Sequence, residues 1–93
     1  MFDGRHCTYK DLDLLNKETE KMISVLRNEN DEIIKKQIHV FLNLIKRFDA
    51  GIAYDMQRQI TMANNDRKRI ESIVIYHTNT LVQNVIVDIN EHR

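Results

Sequence analysis

The chain has 93 residues with fourteen basic and fourteen acidic side chains, 42% hydrophobic and 30% charged, so it is neither a disordered composition nor a strongly charged one. It contains no proline, no tryptophan and only two glycines, Gly4 and Gly51. That scarcity of turn-formers excludes a turn-rich β-sandwich and favours a few long helices. Charge is also balanced along the chain, with seven basic and eight acidic residues through Ile45 and seven and six after it. A dedicated nucleic-acid binder needs a basic excess, so direct nucleic-acid recognition is not expected. The longest apolar run is Ile73 to Tyr76, too short for a membrane helix, and the N-terminus has no apolar core of a secretory signal. A single cysteine, Cys7, gives no internal disulfide and suits a reducing, intracellular compartment.

Taken in chain order, the first predicted element is a helix over 9–28. Leu12, Leu15, Thr19, Met22 and Leu26 follow a 3-4-3-4 spacing. Thr8 with Asp11 three residues later is a capping signature. The polar stretch Arg27 to Glu32 interrupts it, and Asn30 or Asp31 can cap a second helix. That helix is expected over 32–63, because Ile34, Ile38, Phe41, Ile45, Phe48 and Ile52 keep one stripe that Met56 and Ile60 continue. Such an element would be about 45 Å long. It would overhang a compact globule of this size, which is about 25 Å across. The second interruption is Asn64 to Asp66, with Asp66 as cap, and a third helix is expected over 66–90.

That last segment is rich in β-branched residues. Helix is the preferred reading, with two strands, "SIVIYH" and "NVIVDI", as the alternative. Its apolar residues lie nearly all round, so it is either central or covered by a second chain. The fold class expected is all-α: three to four long helices in an extended antiparallel bundle, one helical domain over 1–93, completed by partner chains.

No catalytic motif emerges. Asp11 and Asp13 lie on different helix faces, Asp49 and Asp55 form no dyad, and His6 and Cys7 are sequence neighbours in what reads as a frayed terminus. Cys7 and the four histidines show no zinc spacing, and there is no phosphate loop. No enzyme activity, metal or cofactor is expected. His39 reads as a boundary residue and His77 as a packing or surface residue. The basic groups Lys46–Arg47 and Arg67–Arg69 sit beside Asp49 and Asp66 and read as solvated surface.

The candidate contact residues are Arg47, Gly51, Ala53, Tyr54, Arg58, Ile73, Tyr76 and Val85. Tyr54 and Arg58 stand four apart on a helix, where a guanidinium can cover a ring, and both types are enriched at interface hot spots. Gly51, placed in mid-helix, costs about 1 kcal/mol relative to alanine. Close approach of another backbone at "AGIA" would compensate for it.

The initial Met1–Phe2, a helix, a polar break and a long helix carrying Lys46 and Arg47 ahead of Ile52, Ala53, Tyr54 and Arg58 together resemble the first partner-of-Sld-five subunit family of the GINS replication complex. The stretch "RIESIVIYHTNTLVQNVI" is loosely similar to a later helix of that family. In place of a dense basic cluster directly before Ala-Tyr, this chain has "FDAG". The resemblance covers the family's helical domain and not its β-rich one. It implies a non-catalytic, nuclear subunit that packs against sister subunits in a hetero-oligomer, supports the replicative helicase, and serves initiation and elongation of DNA replication. The alternative is a self-associating helical bundle or coiled-coil adaptor, or a small regulatory protein, with no role in replication. The partners expected are other helical protein subunits, in a hetero-oligomer or alternatively a homo-oligomer, and not a membrane; a third reading, a small nucleic-acid-associated regulator using Arg67, Lys68 and Arg69, ranks below these.

Overall fold

The computed structural model describes residues 6–92, so Met1, Phe2 and Gly4 lie outside the described residues. Four helices follow one another: α1 Tyr9–Asn28, α2 Asp31–Phe48, α3 Ala50–Met62 and α4 Arg67–Glu91. There is no strand among the described residues. The helices pack as a bundle, α1 against α4 and α2, and α3 against α2 and α4. Its extents are 42 × 22 × 18 Å.

Local chemistry sets the starts. Thr8 caps α1 reciprocally: the Asp11 amide donates to Thr8 Oγ1 and the Thr8 amide to Asp11 Oδ2. Asn30 Oδ1 accepts from the Ile33 amide to open α2, and Asp66 Oδ1 accepts from the Arg69 amide to open α4. Between α3 and α4 the chain turns through Asn64 (φ 50) and Asn65 (φ 67), both left-handed. Asparagine is the non-glycine residue that tolerates this conformation best.

The helix expected over 32–63 is two helices. Asp49 breaks it with an extended backbone, φ −156 and ψ 105. Its amide still donates to the Ile45 carbonyl at 2.8 Å, closing α2. Its Oδ1 accepts from the Gly51 and Ile52 amides at 2.9 and 3.1 Å, opening α3. One residue thus ends one helix and caps the next. The bend folds α3 back against α2, so the 45 Å element and its overhang do not arise. Gly51 sits in the first turn of α3 rather than in mid-helix. A Cβ there would meet only Asp49 Oδ1, at 3.2 Å, so no other backbone approaches it.

The third segment is a single helix of 25 residues, and "HTNT" neither breaks it nor forms a hairpin. Ile70, Val74, His77, Thr78, Leu81, Val85 and Ile89 form its buried stripe. Packing against both α1 and α3 overrides the β-leaning propensity of the segment. One cluster of buried side chains links all four helices, from Leu15, Met22 and Leu26 through Phe41, Ile45 and Met56 to Val74, Leu81 and Val85. Apolar burial of this kind contributes about 25 cal/mol per Å².

Polar ties fasten α1 to α4. Arg27, in the last turn of α1, grips Glu71 near the start of α4, Nε to Oε1 at 2.7 Å and Nη2 to Oε2 at 3.2 Å. The Cys7 amide, just ahead of α1, donates to Asp88 Oδ2, near the end of α4, at 2.6 Å. Cys7 itself is buried and held to α4 by this bond, so at this residue the expected fraying does not occur. Arg67 joins the two loops at one end of the bundle, reaching Asp31 Oδ1 at 3.0 Å and the Leu26 carbonyl at 3.5 Å.

Candidate functional site

The sharp corner at Asp49 sets α3 back along α2. Where α3 folds back along α2, Ala50 and Ala53 present only methyl groups, so the seam between the helices is incompletely filled. A groove of about 300 Å³ results, with His39, Leu42, Asn43 and Lys46 on one wall and Ala50, Ala53, Tyr54 and Gln57 on the other. Its lining mixes apolar residues, Leu42, Ala50 and Ala53, with the polar side chains of His39, Asn43, Lys46, Tyr54 and Gln57. Tyr54 stands on the rim with 66% of its surface exposed. The contents suit an apolar side chain or a short helix with a polar edge; they include no nucleophile–base pair.

The residues expected to bind a partner do not form one surface. Ala53 and Tyr54 meet in the groove. Arg58 follows one turn beyond Tyr54, and its guanidinium lies 3.9 Å from Asp55, not over the ring. Arg47 is exposed near the end of α2, on a different helix from Tyr54. Gly51 is exposed in the first turn of α3. On α4, Tyr76 is 68% exposed and meets the His77 ring edge-on at 5.1 Å. Ile73 is half-buried against the core. Val85 is fully buried and has no surface to offer, which corrects its assignment as a contact residue. Its apolar neighbours along the sequence made the segment look uncovered, whereas α1 and α3 both pack on α4.

A second hollow, of about 290 Å³, lies toward the end where the loops meet, lined by Ile34, Ile38, Ile60 and Ile70 with the Asp31–Arg67 ion pair beside them. Of the basic triplet, Arg67 is committed to Asp31 and Leu26, while Lys68 and Arg69 are exposed. His39 is exposed at the groove. His77 is buried, its Nε2 3.1 Å from Gln59 Oε1 on α3, a cross-helix contact that sequence spacing does not reveal.

Among titratable groups, Arg27 and Glu71 perturb one another. The hydrogen bonds from Arg27, aided by its charge, hold the Glu71 carboxyl below the usual carboxylate range despite the opposing effect of burial. The same hydrogen bond and attraction raise the Arg27 guanidinium. This pair fastens α1 to α4, and Arg27 also borders a shallow hollow on α1 with Glu20, Ile23, Ser24 and Asn28.

One group of possible metal ligands occurs among the described residues: His6, Asp88 and His92, brought together from the two ends of the chain. Zinc-type spacing rules miss such a cluster because they register ligands close in sequence. The corner at Asp49 was also missed. Its signal is present, an aspartate two residues before a glycine, but an unbroken apolar stripe runs across it.

No family model, no curated protein and no solved structure matches this chain.

Proposed function

We propose that this chain is a non-catalytic subunit of a multiprotein complex: an antiparallel helical bundle whose α2–α3 groove receives a helix of a partner protein. The observation that carries this reading is the groove itself, a concave, partly apolar seam with an exposed tyrosine on its rim. The partner helix would fill the space that Ala50 and Ala53 leave and complete the packing there. Tyrosine anchors beside small residues, ringed by polar groups, are the usual make-up of an energetic centre in an interface. The pairing of the two ends of α1 with opposite ends of α4 supports the antiparallel arrangement.

Ala53, Tyr54 and Arg58, which carry the resemblance to GINS, fall in this groove or one turn from it. On that resemblance the complex is a GINS-like assembly that supports the replicative helicase in the initiation and elongation of DNA replication, and its place is the nucleus. A second reading is self-association. It draws on Tyr76 and Val87, exposed and eleven residues apart, hence three turns apart on one face of α4.

The test combines Tyr54→Ala with Arg58→Glu. Both side chains are exposed, so helicity by circular dichroism should be unchanged. Capture of the partner purified from native cells should fall roughly tenfold or more. Undiminished capture, or a parallel loss of helicity, defeats the groove reading. Native mass measurement on the chain alone separates the two readings, because only self-association yields a dimer without a partner.

A further inference from the structure

We propose that His6, Asp88 and His92 form a binding site for a divalent transition-metal ion of the zinc type, which clamps the segment ahead of α1 to the last turns of α4. Each of the three side chains offers one ligand atom, and these atoms all lie within 4.8 Å of one another. Two imidazoles and one carboxylate are a nitrogen-rich set that suits zinc, cobalt, nickel or copper, and does not suit calcium or magnesium, which demand oxygen.

The surroundings have the features of a prepared site. Asp88 is largely covered, with its side chain 12% exposed. Among the described residues its ion-pair partner is His92, with Nδ1 at 3.6 Å from Oδ1. Its other oxygen, Oδ2, is held by the Cys7 amide at 2.6 Å, which fixes the carboxylate and leaves Oδ1 directed to the imidazole. His92 Nδ1 lies 2.9 Å from the Asp88 carbonyl oxygen. With a proton on Nδ1 that contact orients the ring over Asp88. This is the usual arrangement by which an outer hydrogen bond prepares a metal-bound histidine. His6 completes the set, its ring stacked on that of His92 at 3.6 Å and 17°.

Metal bonds of about 2.0–2.2 Å in tetrahedral geometry need ligand atoms roughly 3.4 Å apart. Closing the site therefore takes an inward movement of about an ångström and an unstacking of the two rings. His6 lies in the segment before α1 and His92 just past the end of α4, and both are exposed, so neither ring is locked by the core. Three protein ligands leave a fourth position for water. The ion would reinforce the end of the α1–α4 pair away from Arg27 and Glu71.

The experiment is calorimetric titration of the full chain with zinc chloride near neutral pH, alongside His6→Ala, His92→Ala and, as a control, His39→Ala. One ion per chain is expected, with affinity lowered about tenfold or more by either of the first two substitutions and unchanged by the third. Zinc should raise the melting temperature of the unmodified chain and of His39→Ala, but not of the other two. The substituted residues are exposed, and metal-free circular dichroism checks that each variant is folded. Cobalt substitution gives a separate readout: visible bands of nitrogen and oxygen ligation without thiolate charge transfer. Absence of saturable binding, binding by His6→Ala and His92→Ala as tight as that of the unmodified chain, or a thiolate band from Cys7 would each overturn the assignment.

Discussion

The α1–α4 pair and the α2–α3 pair are built on opposite plans. The first is closed: Leu15, Met22, Val74, Leu81 and Val85 are fully buried on its two helices, and polar ties hold it at each end. The second is open. Its helices are joined through one residue, Asp49, and its seam is lined by alanines that leave a groove with Tyr54 at the rim. On the reading proposed above, recognition falls to the second pair, although Phe41, Ile45 and Met56 on α2 and α3 are as buried as the side chains of the first. Large side chains packed without gaps resist unfolding, and the seam at Ala50 and Ala53 is where such packing stops short.

Three perturbations test that division. Leu81→Ala removes a fully buried side chain and should cost about 2–5 kcal/mol in denaturant unfolding. A cost under about 1 kcal/mol would mean the closed pair is not where stability resides. Asp49→Ala acts on the open pair and removes the oxygen that accepts from Gly51 and Ile52. The loss of this cap should cost about 0.5–2 kcal/mol. Its other signature is diagnostic: amide exchange should speed up in the first turn of α3 while α1 and α4 remain protected. Uniform acceleration would show that the two pairs are a single cooperative unit.

The smallest effect is expected from Glu71→Gln, read as a function of pH. Glu71 is held below the ordinary carboxylate range by Arg27, so its stabilising effect is present above the unfolded value of about 4.3. It is lost as pH falls through the lower folded value. The melting temperature of the unmodified chain should therefore exceed that of the variant at neutral pH, and the gap should close in acid below about pH 4. The raised Arg27 guanidinium contributes stability throughout this window, because its loss would come only in strong alkali. A gap that widens in acid would contradict the assignment of Arg27 and Glu71 as the tie.

The candidate surface was legible only in part. Ala53 and Tyr54 do line one groove, between α2 and α3. Gly51 serves the cap of Asp49 rather than a close backbone approach. Val85 misled because an apolar run does not say how many helices will cover it.

By itself, the sequence determined the helical class, the starts of α1, α2 and α4, and the turn at Asn64 and Asn65. Those features rest on period and on hydrogen bonds spanning three or four residues, all of which lie within one stretch of chain. Only the tertiary structure decided that Asp49 ends one helix and begins another, that the β-branched α4 stays helical throughout, and that His6 meets Asp88 and His92. Each of these depends on which surfaces come to face one another. An apolar stripe of constant period is equally compatible with a straight helix and a folded one, and the bend is favoured because it lets Phe48, Ala53 and Met56 share one core.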